Sequence, residues 1–407
     1  MREREVVVAR AASESIRRGH PWVWRSAVGR GLERAVAGEV VKLMGADGEL
    51  LGRGVADPDS PIAVRVWVTG DEPLGEALLQ RKIARAFDVR ARLFDDGRTT
   101  AYRLLHGEGD RLPGFVLDRY ADVAVLRLDG AGAEAFAERV VPLLWEALGA
   151  SGVRTLVRRV VSRGESKGAQ GAKGDGGEKN ELLRGPPLAA PTLEVAEHGV
   201  PFVVDVARGQ KTGAFLDQRE NRRRVGEIVA TRGSKTTRVL NLFSYAGGFS
   251  LRAALAGAEV TSVDLASGAH ATAQASFKRA GVDPKAHAFV TADAFSFLAE
   301  AKKARRTWDV VVSDPPSFAP SEKALPRAVS AYRALHRACA DVLAPSGVFC
   351  AASCSSHVDA ETFVATLDDG ALGRRDLRLV ALHGPPEDHP TIPAWPEGRY
   401  LKFAVLA

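Results

Sequence analysis

The chain has 407 residues, 45% of them hydrophobic and 26% charged, with a formal net charge of +6. That length predicts two or three units, because single cores stop growing near roughly 250–300 residues. The composition is that of a folded globular protein and excludes disordered, collagenous and disulfide-stapled classes, while the charge permits a polyanionic partner without requiring one.

Cys339, Cys350 and Cys354 are the only cysteines. So sparse and odd a set offers no disulfide framework and no zinc spacing, and fits a reducing, cytoplasmic setting without a bound metal. No apolar run approaches the roughly 20 residues that span a bilayer, and the charged start MREREVVVAR does not read as a signal peptide.

Residues 1–72 carry short strand signals, EVVVAR, GEVVKLM, ELLGRGVA and PIAVRVWV, divided by turns such as Asp57-Pro58-Asp59. This spacing predicts a small β-barrel. Within it PWVWRSAV places Trp22, Trp24 and Arg25 together, either as barrel core with one exposed arginine or as an RNA-contacting face. From Pro73 to about Asp95 apolar residues recur at helical spacing (Leu74, Leu78, Ile83, Phe87). Strands over 102–128, a helix from Ala133 to about Leu148, and strands near 153–161, 192–197 and 200–206 complete a small α+β unit over 73–206. The segment 162–180, SRGESKGAQGAKGDGGEKN, has six glycines and no apolar residue larger than alanine. It cannot bury enough surface to offset its ordering entropy and is expected to be a disordered loop.

Within 207–407 the pattern becomes strand, helix, strand. Strands are expected at TRVLNLF (237–243), AEVTSVDL (258–265), HAFVTAD (287–293), WDVVVSD (308–314) and GVFCAAS (347–353), and LRLVALH and YLKFAVLA close the chain. Near-continuous apolar strands alternating with helices predict an α/β unit whose mostly parallel, seven-stranded sheet is covered on both faces.

Ligands of such sheets bind at the carboxyl ends of the strands. The first strand ends in NLFSYAGGFSLRAAL, where Gly247 and Gly248 allow a sharp turn and a following helix aims its N-terminus at the ligand. Asp264, Asp293 and Asp314 end the next three strands. Each alone reads as a cap, but three acids on one sheet edge opposite a glycine turn suit a nucleoside carrying an amino acid, S-adenosylmethionine. The missing G-x-G-x-x-G pattern disfavours a dinucleotide. The layout resembles a class I methyltransferase with a Rossmann-like sheet. In DPPSF, 314–318, Pro315, Pro316 and Phe318 are expected to form a rigid wall for a flat target ring.

The resemblance extends further. HPWVWRSAV, GELLGRGVADPDSPIAVRVW, RLLHGEGDRLPGFVLDRY, GQKTGAFLDQRENR, NLFSYAGGFS, SDPPSF and DHPTIPAWPEGRYLKF are similar, in this order, to 23S ribosomal RNA cytosine-5 methyltransferases. The resemblance implies an RNA-binding PUA domain at 1–72, with Trp22 and Arg25 on its RNA surface, and ribosomal RNA (23S or a large-subunit precursor) as partner. It implies that Phe243, Ser244, Tyr245, Gly247 and Gly248 cradle the methionine part, Asp264 with Leu265 the ribose, and Asp293 with Ala294 the adenine. Gln218 and Arg219, of the DQR at 217–219, would close over the cofactor; their spacing alone reads as a solvated helix start. Gln210 stands where the family has His, which weakens any role for that side chain. A homodimer is one arrangement the sequence leaves open.

Carbon 5 of cytosine becomes nucleophilic only when a group adds to carbon 6, and a thiolate is suited to that task. A cysteine after an apolar strand is usually core, which suits Cys350 and Cys339. Cys354 instead falls at the active edge, beside Ser353, Ser355 and Ser356. It is expected to be the nucleophile, with Asp314 holding N3 and the exocyclic amine. Two competing readings are a guanine methyltransferase of related ribosomal RNA enzymes, which needs no cysteine, and a non-catalytic RNA-binding assembly factor.

Overall fold

The computed structural model describes residues 3–160, 179–233 and 236–407. At the N-terminus Arg4–Val8, Trp22–Trp24, Val28–Arg30, Val40–Met44, Leu50–Ala56 and Ile62–Thr69 form a six-stranded sheet. Its alternating apolar residues, among them Val6, Val8, Val41, Leu43 and Val64, close on Ile16 of the helix Arg10–Arg17.

A five-stranded sheet follows, in the order Lys179–Arg184, Thr155–Val160, Val123–Leu128, Phe115–Tyr120, Ala101–His106. The amphipathic helices Glu76–Leu93 and Ala131–Gly149 bury Leu79, Ile83, Phe136 and Leu144 in the core with Leu105, Leu117 and Leu126. Within the segment expected to be disordered, Lys179 and Asn180 are strand residues, opposite Val160 and Arg159. Backbone pairing at a sheet edge orders them without apolar burial; residues 162–178 lie outside the described residues. A separate hairpin, Thr192–Glu197 with Val200–Asp205, joins two regions. Thr100 N–H donates to Ala196 O at 2.9 Å on one side, and Val203 N–H donates to Ser276 Oγ at 3.0 Å on the other.

The C-terminal sheet has seven strands: β1 (Arg238–Leu242), β2 (Glu259–Asp264), β3 (Ala288–Thr291), β4 (Trp308–Ser313), β5 (Leu343–Ser353), β6 (Leu379–His383) and β7 (Lys402–Leu406). They lie in the order β3-β2-β1-β4-β5-β7-β6, with β1 to β5 parallel and β7 antiparallel to β5 and β6. Alternation sends Leu240, Leu242, Val311 and Phe349 to one apolar core, under the helices Ala294–Lys303 and Leu325–Asp341. Val239, Val310, Val312 and Cys350 go to the other, under Arg219–Ala230 and Gly248–Leu255. Strand order reverses between β1 and β4, which places a crevice at their carboxyl ends. Among the described residues, no helix is long and apolar enough to cross a membrane.

Candidate active site

The crevice holds a cavity of about 300 Å³. Its floor is the turn after β1. Phe243, Tyr245 and Gly247 all adopt positive φ, of 57°, 45° and 73°. Two non-glycine residues in that region mark a backbone held by its surroundings. The restraints are visible: Ser244 N–H donates to Val263 O at 3.0 Å and Tyr245 N–H to Asp264 Oδ2 at 2.8 Å. Gly248 has another reason to be glycine, because a Cβ there would sit 2.5 Å from Cδ of the buried Arg222.

Asp264 is thus part of the loop's own scaffold, its Oδ1 also accepting from Ala266 N–H at 2.8 Å, and it lines the cavity beside Leu265, which is 53% exposed. Asp293 lines the cavity and caps the helix Ala294–Lys303, Oδ1 accepting from Ser296 N–H at 2.9 Å. Capping and a position on the cavity wall coincide in this residue, and Ala294 lies buried beside it. Asp314 follows β4 directly. Burial, reinforced by the negative charge of Asp217, pushes its carboxyl up to about 7. Gln218 Nε2 donates to Asp314 Oδ2 at 3.0 Å, and Gln218 is itself fixed by Asn221 Nδ2 at 2.7 Å.

The roof comes from distant parts of the chain. Residues 210–222 and the hairpin fold over the crevice. Tyr245 Oη donates to Gly213 O at 3.1 Å and accepts from Gln210 N–H at 3.0 Å. The loop therefore uses the backbone of residue 210, and its side chain is free to vary. Asp217 is buried, and its Oδ2 accepts from Lys211 Nζ and Tyr400 Oη, each at 2.8 Å. Burial alone would raise its carboxyl, but Lys211 holds it well below the usual range.

Cys354 sits where β5 has ended, half-buried on the cavity wall with Asp314, Pro315 and Pro316. Tyr332 Oη donates to Ser353 Oγ at 2.9 Å and Ser355 Oγ to Ala319 O at 3.2 Å, pinning the residues on either side. Burial and then the Asp314 charge push the thiol up to about 11, opposed by Lys211 and Lys402. Cys339 and Cys350 are wholly buried, each pushed up to about 12 by burial.

Five expected residues do not line the cavity, and for two of them, Trp22 and Arg25, the expected place is the surface of the N-terminal domain. Arg219 is buried and forks onto Asp388 at 2.8 and 2.9 Å, over the Phe94 ring, away from the cavity. Phe318 turns inward onto Tyr332, ring centroids 4.8 Å apart, so the cavity wall is made by the two prolines. Trp22 lies at the junction of the N-terminal and middle sheets, Nε1 donating to Glu108 at 2.8 Å and its ring 5.3 Å from Trp395. Arg25 is exposed, and its guanidinium donates to Ser60 O at 3.1 Å. Gly247 packs on the Ala273 side chain, where a Cβ would come within 2.8 Å. Sequence reasoning missed Lys211, Tyr400 and Lys402. The LKF of β7 and the lone lysine before Thr212 give no local sign that they reach a site.

A β3-β2-β1-β4-β5-β7-β6 sheet with a strained turn after β1 and acids after β2 and β4 defines the class I methyltransferase fold. Sequence comparison makes this specific: the profile of the S-adenosylmethionine-dependent methyltransferases matches residues 171–395, and that of the PUA-like domain residues 6–69. The chain belongs to the S-adenosylmethionine-dependent methyltransferase family. Proteins named ribosomal RNA large subunit methyltransferase I are 34% identical in Alteromonas mediterranea (98% of both chains) and 36% identical in Shewanella denitrificans (96% of both). A solved Streptococcus mutans structure, titled as a SAM-dependent methyltransferase, superposes with a TM-score of 0.82 at 22% identity over 99% of both chains.

The cavity fits that cofactor. Ser244 Oγ and Asp217 Oδ1 are buried on its wall without a hydrogen-bond partner, an arrangement that a polar ligand completes. Leu265 and Phe202 supply apolar surface, and Asp264 a carboxylate for hydroxyls.

Proposed function

We propose that this enzyme, acting in the cytoplasm, methylates carbon 5 of a cytosine in ribosomal RNA, 23S or its large-subunit precursor, through a covalent adduct on Cys354. The observation that carries this reading is the position of Cys354: it leaves β5 on the wall of the cofactor cavity, beside a carboxyl at Asp314 that titrates near 7. The names of the relatives support ribosomal RNA as the substrate, and the PUA-like domain supports an RNA partner.

When bound, the cofactor would supply an electrophilic methyl group, its sulfur–methyl bond breaking with the electron pair left on sulfur. Cys354 Sγ, as thiolate, bonds to carbon 6 of the cytosine while Asp314 delivers a proton to N3. The ring becomes an enamine whose carbon 5 bonds to the methyl group. Loss of the carbon 5 proton then restores the double bond as the sulfur–carbon bond breaks, its electron pair returning to Sγ, and N3 returns its proton to Asp314. Pro315 and Pro316, with no backbone N–H, present a stiff apolar edge to the ring.

Nucleoside mass spectrometry of ribosomal RNA from cells with and without the protein tests the product; a lost methylguanosine would overturn the assignment. Cys354→Ala should bind cofactor normally and lose several orders of magnitude in transfer. RNA bearing 5-fluorocytidine at the target should trap a covalent adduct with wild type alone. A Cys354→Ala enzyme that still makes 5-methylcytidine near the wild-type rate places the nucleophile elsewhere.

A further inference from the structure

Lys402, the first residue of β7, is 97% removed from solvent in its strand, with only 3% of its surface exposed. It pairs with Ser353 of β5, the residue before Cys354, and its charge acts on the Cys354 thiol. Its Nζ donates to Ser355 O at 2.5 Å and to Tyr400 O at 2.8 Å. Both acceptors are neutral carbonyls, and among the described residues no carboxylate lies in ion-pair contact with it. A buried ammonium without a counter-charge is costly. Lys211, the other cation that acts on Cys354, differs: its charge is already matched by Asp217 at 2.8 Å.

We propose that Lys402 is a positioning residue whose buried ammonium is the resident counter-charge for the Cys354 thiolate, and that its two carbonyl contacts fix it for this role. The proposal deepens the cytosine reading, since a thiolate is what that chemistry requires. The groups acting on Cys354 are Asp314 and Asp217, which disfavour the thiolate, and Lys211 and Lys402, which favour it. Tyr332 and Tyr400 also face the sulfur, and Asp359 acts on Lys402 from beyond the Ser355 turn. When the Cys354 proton passes to Asp314, the S–H electron pair stays on sulfur and the nearest negative charge is neutralised. The thiolate is then left facing Lys402, and Asp314 carries the proton that N3 needs. The lowering of Lys402 to about 8, chiefly by burial, is the mark of an ammonium that lacks its anion while Cys354 is protonated.

The test is the pH dependence of Cys354 alkylation by iodoacetamide in the full-length protein without RNA, followed by peptide mass spectrometry, with buried Cys339 and Cys350 as internal controls. Lys402→Gln keeps two N–H donors for the carbonyls and loses the charge; Lys402→Arg keeps the charge. At pH 7, where Lys402 is charged, Lys402→Gln should slow Cys354 labelling roughly tenfold, the difference should shrink as pH rises past about 8, and Lys402→Arg should restore much of the loss at pH 7. Cofactor binding by both variants shows that the fold is intact. Should Lys402→Arg fail to fold, Lys402→Met replaces it and should match Lys402→Gln. An unchanged labelling rate at pH 7 in the folded Gln variant overturns the proposal. Because no RNA is used, that result leaves the cytosine reading standing, and a wrong target base leaves the labelling result standing.

Discussion

The floor and the roof of the cavity are built by different rules. The floor, from Phe243 to Asp264, is local: its bonds join residues about 20 apart, such as Tyr245 to Asp264. The roof is held by Asp217 with Tyr400, 183 positions away, by Arg219 with Asp388, 169 away, and by Arg90 with Asp388 O, 298 away. Pairs local in the chain make a turn that can carry a signature. Distant buried pairs make a lid whose members look, one by one, like surface charges. The comparison teaches that the cofactor site rests on a sheet edge, whereas its closure depends on the middle sheet and the last 20 or so residues.

Breaking the roof should cost the most stability. Asp388 is fully buried, forks with Arg219 and also accepts from Arg103 N–H at 2.9 Å. In Asp388→Ala the buried Arg219 guanidinium loses its fork and the Arg103 backbone N–H its acceptor, and removing one partner of a buried pair costs about 3–5 kcal/mol. Denaturant unfolding measures this; a loss under about 1 kcal/mol would mean that the roof is not held by this pair. The same region should be acid-sensitive. The His106 and His389 rings lie tilted with centroids 4.9 Å apart, and burial holds both below the ordinary 6.5. The unfolded chain therefore binds more protons below about pH 6.5, so their contribution is complete above that pH and is lost as pH falls below it.

On the floor, Asp264→Ala should weaken cofactor binding by about 1–3 kcal/mol, since it removes a polar partner and frees the Tyr245 and Ala266 N–H groups. Calorimetric titration should find this loss with a melting temperature far less affected than in Asp388→Ala. The reverse pattern would make the floor structural and the roof expendable.

A smaller effect separates the two regions by sign. Asp314 is raised to about 7, so folding is favoured while it is neutral and that advantage fades as pH climbs from 3.8 to about 7, opposite to the histidines. The proposed adduct needs Asp314 protonated and Cys354 ionised. With these groups near 7 and 11, transfer should fall about tenfold per pH unit below 7 and be flat above it until near 11. Asp314→Asn should remove the plateau, so that the rise with pH continues to the Cys354 midpoint; an unchanged break near 7 would assign it to another group.

These contrasts explain what was legible in the sequence. The succession of strands and helices, the glycine turn, and the strand-end positions of Asp264 and Cys354 follow from period and punctuation, whereas the spatial order of the strands does not. Arg219 was misplaced because nothing near DQR announces Asp388. Phe318 was misplaced because its partner, Tyr332, lies on a helix whose packing face only the fold defines. Trp22 reads as a surface aromatic until Glu108 and Trp395 are seen to enclose it. Lys179 and Asn180 read as part of a low-complexity loop because strand pairing with Thr155–Val160 depends on an edge that local composition does not record.

The mildest test asks whether the roof reaches the cofactor cavity at all. Tyr400 Oη supplies one of two hydrogen bonds to Asp217 Oδ2, and Lys211 supplies the other. Tyr400→Phe keeps the ring beside His106, 6.4 Å away, and removes only the hydroxyl. Lys211 remains, so Asp217 stays charged and fixed from one side. The expected cost is about 1 to 1.5 kcal/mol in unfolding free energy, the value of one bond to a charged acceptor. Because Asp217 lines the cavity and its buried Oδ1 has no hydrogen-bond partner among the described residues, a carboxylate freed to turn should also weaken cofactor binding, by less than tenfold. A stability loss with unchanged cofactor affinity would confine the roof to holding the middle and C-terminal sheets together. Parallel losses in both would join the last strand to the cofactor cavity through this one hydroxyl.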